Sequence, residues 1–169
     1  MPIDEPSFAF NGLGPPLTAV RNVRDRRKWR IFVIHRYSGP PPRFDFRLAM
    51  AGTLRSWAMP ECPSLDPLVK RPALLLDDPA LAPVEIPQSP SFADRAEAYL
   101  WDVGHYRTTQ GSPMAGFAEG LLSFTLRGRI LGGVFHLVRI PQRPRHWVLL
   151  KVDDDFAISG WLPPGEAQC

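Results

Sequence analysis

The 169-residue chain has few of the residues that build disulfide networks, and it has no long apolar run. Its two cysteines, Cys62 and Cys169, make no disulfide framework, which indicates a reducing compartment. No apolar stretch approaches the ~20 residues that a transmembrane helix needs, and the N-terminus has no basic segment followed by an apolar one. We therefore expect a cytoplasmic protein without a membrane span, and we expect it to be a monomer.

Sustained helical periodicity is also missing. Twenty prolines and thirteen glycines interrupt the chain, and they separate short segments rich in β-branched and aromatic residues. This pattern predicts an all-β fold, a compact antiparallel β-barrel of about six to eight strands with long Pro-rich loops, or else a sandwich. The strands are predicted at 29–37, 43–50, 53–59, 71–77, 97–106, 120–126, 130–140 and 146–152.

Positive charge is concentrated in one place. Residues 21–30 hold six basic groups and one acid, a net charge of +5, whereas the remaining chain has 14 basic and 16 acidic groups, a net charge of −2. We interpret residues 1–28 as an irregular basic arm, 29–157 as one β-barrel domain and 158–169 as a flexible tail. The basic run either contacts a polyanion or is a solvated loop.

The segment Arg43-Phe-Asp-Phe-Arg47 carries the most chemical information. Side chains alternate between the two faces of a strand, so Arg43, Asp45 and Arg47 lie together on the face opposite the phenylalanines. Guanidinium groups bind phosphate oxygens in pairs, and a carboxylate between them can hold a hard cation. The motif predicts a phosphate site in a cleft of the barrel, or alternatively an exposed strand with a row of paired charges.

Several recognisable sequence blocks follow each other along the chain. They are 32–37 (FVIHRY), 43–48 (RFDFRL), 56–60 (SWAMP), 63–71 (PSLDPLVKR), 78–79 (DP), 99–104 (YLWDVG), 120–128 (GLLSFTLRG), 135–139 (FHLVR) and 147–153 (WVLLKVD). In this order the blocks resemble the 3′-phosphoesterase domain of bacterial DNA ligase D. The resemblance covers roughly residues 29–157, and matching blocks in a fixed order are more specific than a single short motif.

The resemblance implies a compact β-barrel that trims ribonucleotides and phosphates from DNA 3′ ends. It also implies a manganese ion held by two histidines and an aspartate, with arginines and a further histidine assisting. A divalent ion would neutralise phosphate charge and activate the attack. Implied partners are DNA 3′ ends or another phosphate-bearing ligand, with a ligase or a Ku-type protein working alongside.

This sequence departs from the family pattern at the implied metal centre. The two histidine positions hold Tyr37 and Arg43, while Asp45 and Arg47 match the family. Tyrosine is a rare ligand for a hard divalent ion, and arginine stays protonated and cannot ligate one. Further along the chain Arg71 matches the family, and the replaced positions are Glu61 for a lysine, Asp78 for a histidine and Ala82 for a tyrosine.

Three functions follow from these residues. The first is a degenerate domain that binds phosphate through Arg43, Arg47 and Arg71, with a degraded metal site and weak or no catalysis. The second is an active manganese enzyme with a rearranged site, in which Asp45, His35 and Asp78 hold the metal and Asp45, Arg47 and Arg71 serve catalysis. The third is a protein-interaction module unrelated to nucleic acid.

Overall fold

The computed structural model describes residues 29–77, 80–81 and 98–164. Within these residues the strands and the one helix follow each other along the chain as β1 (Arg30–Tyr37), β2 (Arg43–Met50), β3 (Thr53–Met59), β4 (Lys70–Leu75), β5 (Ala80–Leu81), β6 (Ala98–Thr108), α1 (Pro113–Glu119), β7 (Leu121–Gly128), β8 (Gly132–Arg139) and β9 (His146–Lys151). Among the residues described, no helix is long and apolar enough to cross a membrane.

Eight strands form a closed antiparallel barrel. Their order around the barrel is β2-β1-β6-β7-β8-β9-β4-β3, and the pairing of β3 with β2 closes the ring. The short strand β5 pairs with β3 outside this ring. The predicted all-β barrel is thus confirmed, and the closure of the ring distinguishes it from a sandwich.

The interior of the barrel follows from the alternation of side-chain directions along the strands. On β2, Phe44, Phe46 and Leu48 are fully buried in the core cluster, as Phe32 and Ile34 of β1 are. Aromatic rings fill much of this space: Phe46 stacks on Phe124 and Phe124 stacks on Phe135. Because the apolar positions point inward, the polar positions of β1 and β2 lie on the outer wall.

The barrel has two covered ends. At one end Phe117 of α1 stacks on Trp147 and meets Trp57 edge to face. At the other end, residues 60–69 lie across the opening, and Ile158 and Gly160 donate backbone hydrogen bonds to Leu65 O and Asp66 Oδ2 in this segment. Cys62, in the same segment, is fully buried and disulfide-bonded, a bond that the prediction of no disulfide framework did not include.

The predicted strands are largely confirmed, with β2 and β3 matching at both ends. The region 107–118, to which the sequence pattern assigned no element, is ordered in the structure. Strand β6 continues to Thr108, and α1 starts at Pro113 behind the N-cap Ser112, whose side chain accepts the N–H of Ala115. The short strand β5 was not predicted either. The basic arm at 1–28, Asp78 and Ala82 lie outside the described residues.

Candidate functional site

The pairing of β1 with β2 assembles a polar group on the outer wall. His35 lies opposite Asp45, Tyr37 opposite Arg43 and Val33 opposite Arg47. We refer to five of these residues as the Asp45 cluster, and they are His35, Tyr37, Arg43, Asp45 and Arg47. The alternating positions of β2 do share a face, as the sequence predicts, and the structure places that face outside the barrel.

Asp45 is the centre of this cluster. Its side chain is only 2% exposed, and Arg43 Nε lies 2.9 Å from its Oδ1 in an ion pair. Arg43 also donates a 3.2 Å hydrogen bond to Oδ2, and Arg47 approaches the same oxygen at 3.4 Å. Two guanidinium groups and one carboxylate give the centre a formal charge of +1, and both carboxylate oxygens are occupied by guanidinium contacts.

Tyr37 holds the two arginines in place. The Arg43 guanidinium lies over the Tyr37 ring at 4.5 Å, a cation–π contact, and Arg47 donates a 3.2 Å hydrogen bond to the Tyr37 hydroxyl. The sequence identified Tyr37 only as a replaced histidine and assigned it no role. Its place on the same strand face as His35 was the available signal, because the register with β2 brings it beside Arg43.

His35 is buried beside these cations. The pKa of His35 is lowered to about 4, mainly by burial and further by the nearby Arg47 charge, while Asp45 acts in the opposite direction. His35 is therefore neutral near pH 7. Its Nδ1 atom is buried without a hydrogen-bond partner among the described residues, so the ring has an unsatisfied nitrogen on the wall that carries the arginines.

The metal-ligating side chains of this cluster are His35 and Asp45. Among the described residues there is no group of three or more histidine, cysteine or acidic side chains placed to hold a metal ion. The Asp45 carboxylate faces two guanidiniums, and a cation in the same place would be repelled by both. Asp78, the third ligand proposed from the sequence, lies outside the described residues.

Arg71 was predicted to bind phosphate with Arg43 and Arg47. It lies near the start of β4, at the barrel end where β2 begins and β3 finishes. Its Nε donates a 2.7 Å hydrogen bond to Cys62 O, and its guanidinium forms an ion pair with Glu61. Within the described residues no hydrogen bond or ion pair joins it to the Asp45 cluster, so the structure brings Arg43 and Arg47 together and places Arg71 in a separate contact.

Comparison with known proteins identifies the barrel. A family model described as the DNA Ligase D 3′-phosphoesterase domain matches residues 35–139, which contain the whole Asp45 cluster. The chain is also 37% identical over 134 residues to the multifunctional non-homologous end joining protein LigD of Pseudomonas aeruginosa PAO1. That match covers 76% of this chain and 16% of the relative, so the chain spans about a sixth of the length of the relative. With more than half of its residues matched by the family model, the chain belongs to the DNA ligase D 3′-phosphoesterase domain family.

Proposed function

We propose that this chain binds the phosphate of DNA 3′ ends through the Asp45 cluster and hydrolyses it weakly or not at all. The observation that carries the proposal is the pairing of both Asp45 oxygens with guanidinium groups, Arg43 at 2.9 Å and Arg47 at 3.4 Å. A phosphate group can exchange places with the carboxylate or bind beside it, because arginine forks suit both anions.

Exposure supports a binding role for Arg43. Its side chain is 40% exposed, whereas that of Arg47 is 17% exposed and that of Asp45 is nearly buried. Arg43 is therefore the group that an incoming phosphate reaches first, while Arg47 stays fixed by Tyr37 and Asp45. A preformed donor pair loses little conformational entropy when the anion arrives.

The degraded metal site is the second part of the proposal. The family resemblance implies a manganese ion near Asp45, and in this chain the guanidinium of Arg43 lies against that carboxylate instead. A guanidinium supplies positive charge and hydrogen-bond donors to a phosphate, but it cannot lower the pKa of a bound water as a divalent metal does. We therefore expect the chain to keep its affinity for the 3′-phosphate and to lose most of its hydrolytic turnover.

The cellular role that we propose is DNA end binding during the repair of double-strand breaks. The name of the Pseudomonas relative describes non-homologous end joining, and a ligase or a Ku-type protein is the partner that this role would require. We propose the cytoplasm as the location. The basic run at 21–30 has the charge to contact a nucleic acid backbone beside the end.

A primer-processing assay tests the catalytic half of the proposal. The full chain is incubated with DNA primers that carry a 3′-phosphate or a 3′-ribonucleotide, with and without Mn²⁺. We expect binding of the 3′-phosphorylated primer and little conversion to the 3′-hydroxyl product. Rapid Mn²⁺-dependent conversion that disappears in the Asp45→Ala variant would instead establish an active enzyme, and stoichiometric Mn²⁺ binding lost in His35→Ala would identify a rearranged metal site.

A further inference from the structure

We infer that a second basic site on the barrel, a pocket distinct from the Asp45 cluster, binds a nucleotide phosphate group. The pocket is a cavity of about 650 Å³ at the end of β6, and it is large enough for a nucleotide-sized group. We call it the Arg107 pocket. Its lining residues are Arg30, Arg107, Thr108, Thr109, Gly111, Ser112 and Thr125, and none of these seven has a carboxylate.

The positive charge of the pocket lining comes from Arg30 and Arg107, and an aromatic ring holds the guanidinium of Arg107. The Arg107 guanidinium lies over the ring of Trp29 at 4.9 Å, and that of Arg127 lies over the same ring at 4.2 Å. Trp29 itself is buried, with 8% of its surface exposed. Arg107 is exposed to solvent, so its stacked guanidinium is preorganised and still accessible to an anion.

Hydroxyl groups complete the wall. The Thr108 hydroxyl donates to Gly111 O at 2.7 Å and the Thr109 hydroxyl bonds to Ser123, which fixes the shape of the loop. Ser112 Oγ accepts the N–H of Ala115 at 3.2 Å, which leaves its own O–H as a donor. Thr125 lies beside Arg107 in the β6–β7 pairing. The described lining residues thus offer guanidinium and hydroxyl groups, which are the chemistry that phosphate oxygens require.

Two histidines on the same side of the barrel have pKa values that neighbouring arginine charges lower, which agrees with a basic site here. His105 lies opposite Arg127 in the β6–β7 pairing, and its pKa is lowered mainly by burial and further by the Arg127 charge. The pKa of His35 is lowered in part by Arg47 on β2. Since β2, β1, β6 and β7 are consecutive neighbours, the Asp45 cluster and the Arg107 pocket lie on adjoining strands of the barrel.

The spacing of the two sites suits a nucleic acid strand. Arg47 and Val103 both pair with Val33, and Arg107 lies four residues further along β6. Strand geometry then separates Arg47 from Arg107 by ~16 Å. At ~3.4 Å per nucleotide along a helical strand, this corresponds to about five nucleotides. The inference extends the proposed DNA-end binding: a strand whose 3′ end lies at the Asp45 cluster would place a phosphate about five nucleotides toward its 5′ end in the Arg107 pocket.

The test measures binding of two probes to the full chain. The probes are a fluorescein-labelled 12-nucleotide DNA strand ending in a 3′-hydroxyl and adenosine 5′-monophosphate. Arg107→Gln should weaken binding of the strand by about tenfold and should lower the salt dependence by ~0.7 in log–log slope. Thr125→Val, which replaces one hydroxyl with a methyl group of the same shape, should weaken it by about threefold.

Arg143→Gln is the matched control, because it removes the same charge from an exposed position in the β8–β9 turn. It should change binding by less than about twofold. Weakening by Arg107→Gln for the strand alone would identify a polynucleotide backbone as the source of the phosphate, and weakening for both probes would identify a free nucleotide as a second source. Either result supports the pocket.

Wild-type binding of both probes by Arg107→Gln and Thr125→Val would overturn the inference, as would a wild-type chain that binds neither probe. The 3′-hydroxyl probe separates this test from that of the Asp45 cluster. If the chain binds the strand through Arg107 but does not distinguish 3′-phosphate from 3′-hydroxyl, the proposed end recognition fails and the pocket stands. If the chain instead prefers the 3′-phosphate but its binding does not depend on Arg107, the inferred pocket fails and the proposed function stands.

Discussion

Arg43 and Asp45 are two residues apart on one strand, and their side chains form an ion pair on the outer wall of the barrel, with Nε 2.9 Å from Oδ1. The two differ in exposure, since the Arg43 side chain is 40% exposed and that of Asp45 is 2% exposed. The pair thus joins a buried carboxylate to a cation that solvent and ligands can reach. In our account this relationship turns a metal-binding position into a phosphate-binding one.

The first prediction concerns the role of the Asp45 charge. Asp45→Asn keeps the shape of the side chain and removes the negative charge between two guanidiniums. We expect the affinity for a 3′-phosphorylated strand to rise about fivefold, equivalent to ~1 kcal/mol, because the local charge becomes more positive. Calorimetric titration of the strand measures this effect. If Asp45 were instead a metal ligand, the same variant would lose Mn²⁺ binding and Mn²⁺-dependent phosphate affinity together.

The second prediction concerns the pH dependence of stability. The pKa of His35 is about 4 in the folded protein, below its ordinary value of 6.5. The unfolded chain therefore binds a proton more readily, and the free energy of unfolding should fall as the pH drops from about 6.5 to about 4. We expect His35 to account for ~2 kcal/mol of this loss after solvent screening.

Urea unfolding of the wild type and of His35→Gln at pH 7 and pH 4.5 measures the His35 contribution. Burial raises the pKa of Asp102 to about 6, and this acts in the opposite direction within the same pH window. Both proteins retain Asp102, so its contribution cancels in the comparison. An equal loss of stability on acidification in both proteins would contradict the assignment to His35.

A third prediction tests the electrostatic link between Arg47 and His35. The Arg47 charge lowers the pKa of His35, so Arg47→Gln should raise that pKa toward its ordinary value. Histidine proton resonances followed by NMR between pH 3 and pH 8 report the titration directly, and Arg143→Gln is the control for a general change in charge. An unchanged pKa of His35 in Arg47→Gln would contradict an electrostatic interaction between the two residues.

A fourth prediction concerns the close approach of β6 and β7. A Cβ atom at Gly104 would lie 2.0 Å from Arg127 O, a backbone atom that cannot move without opening the strand pairing. Gly104→Ala should therefore lower the free energy of unfolding by ~3 kcal/mol or prevent folding. At Gly39 the nearest atom, Pro41 O, would lie 3.7 Å away, so Gly39→Ala should leave the melting temperature nearly unchanged. Equal melting temperatures for the two variants would contradict this account of the β6–β7 contact.

Local pattern was sufficient to predict most strands. Residues 43–50 and 53–59 alternate regularly and are separated by Ala51-Gly52, and the structure has strands with these bounds. The helix at Pro113–Glu119 was not predicted from the sequence, because seven residues are too few to show a helical period. Its signals were the N-cap Ser112 and the proline that follows, which are typical of a helix start.

The candidate site depended more on strand pairing than on local pattern. Alternation alone predicts that Arg43, Asp45 and Arg47 share a face. The contacts of Tyr37 and His35 with that face required the β1–β2 register, which sequence spacing does not determine because the connecting turn contains three prolines. The Arg71–Glu61 ion pair depends on the path of residues 60–69 across the barrel end. The Arg107 pocket likewise combines residues from β1, β6 and β7 that are far apart in the sequence.

Phosphate recognition without a metal is the central claim, and one equilibrium measurement tests it most directly. Two DNA strands that differ only in a 3′-phosphate or a 3′-hydroxyl are titrated into the full chain in the presence of EDTA, and again with Mn²⁺. Our account predicts that the chain prefers the 3′-phosphorylated strand in EDTA, that Arg47→Gln abolishes this preference, and that Mn²⁺ adds little. A preference that is absent in EDTA and appears only with Mn²⁺ would contradict it.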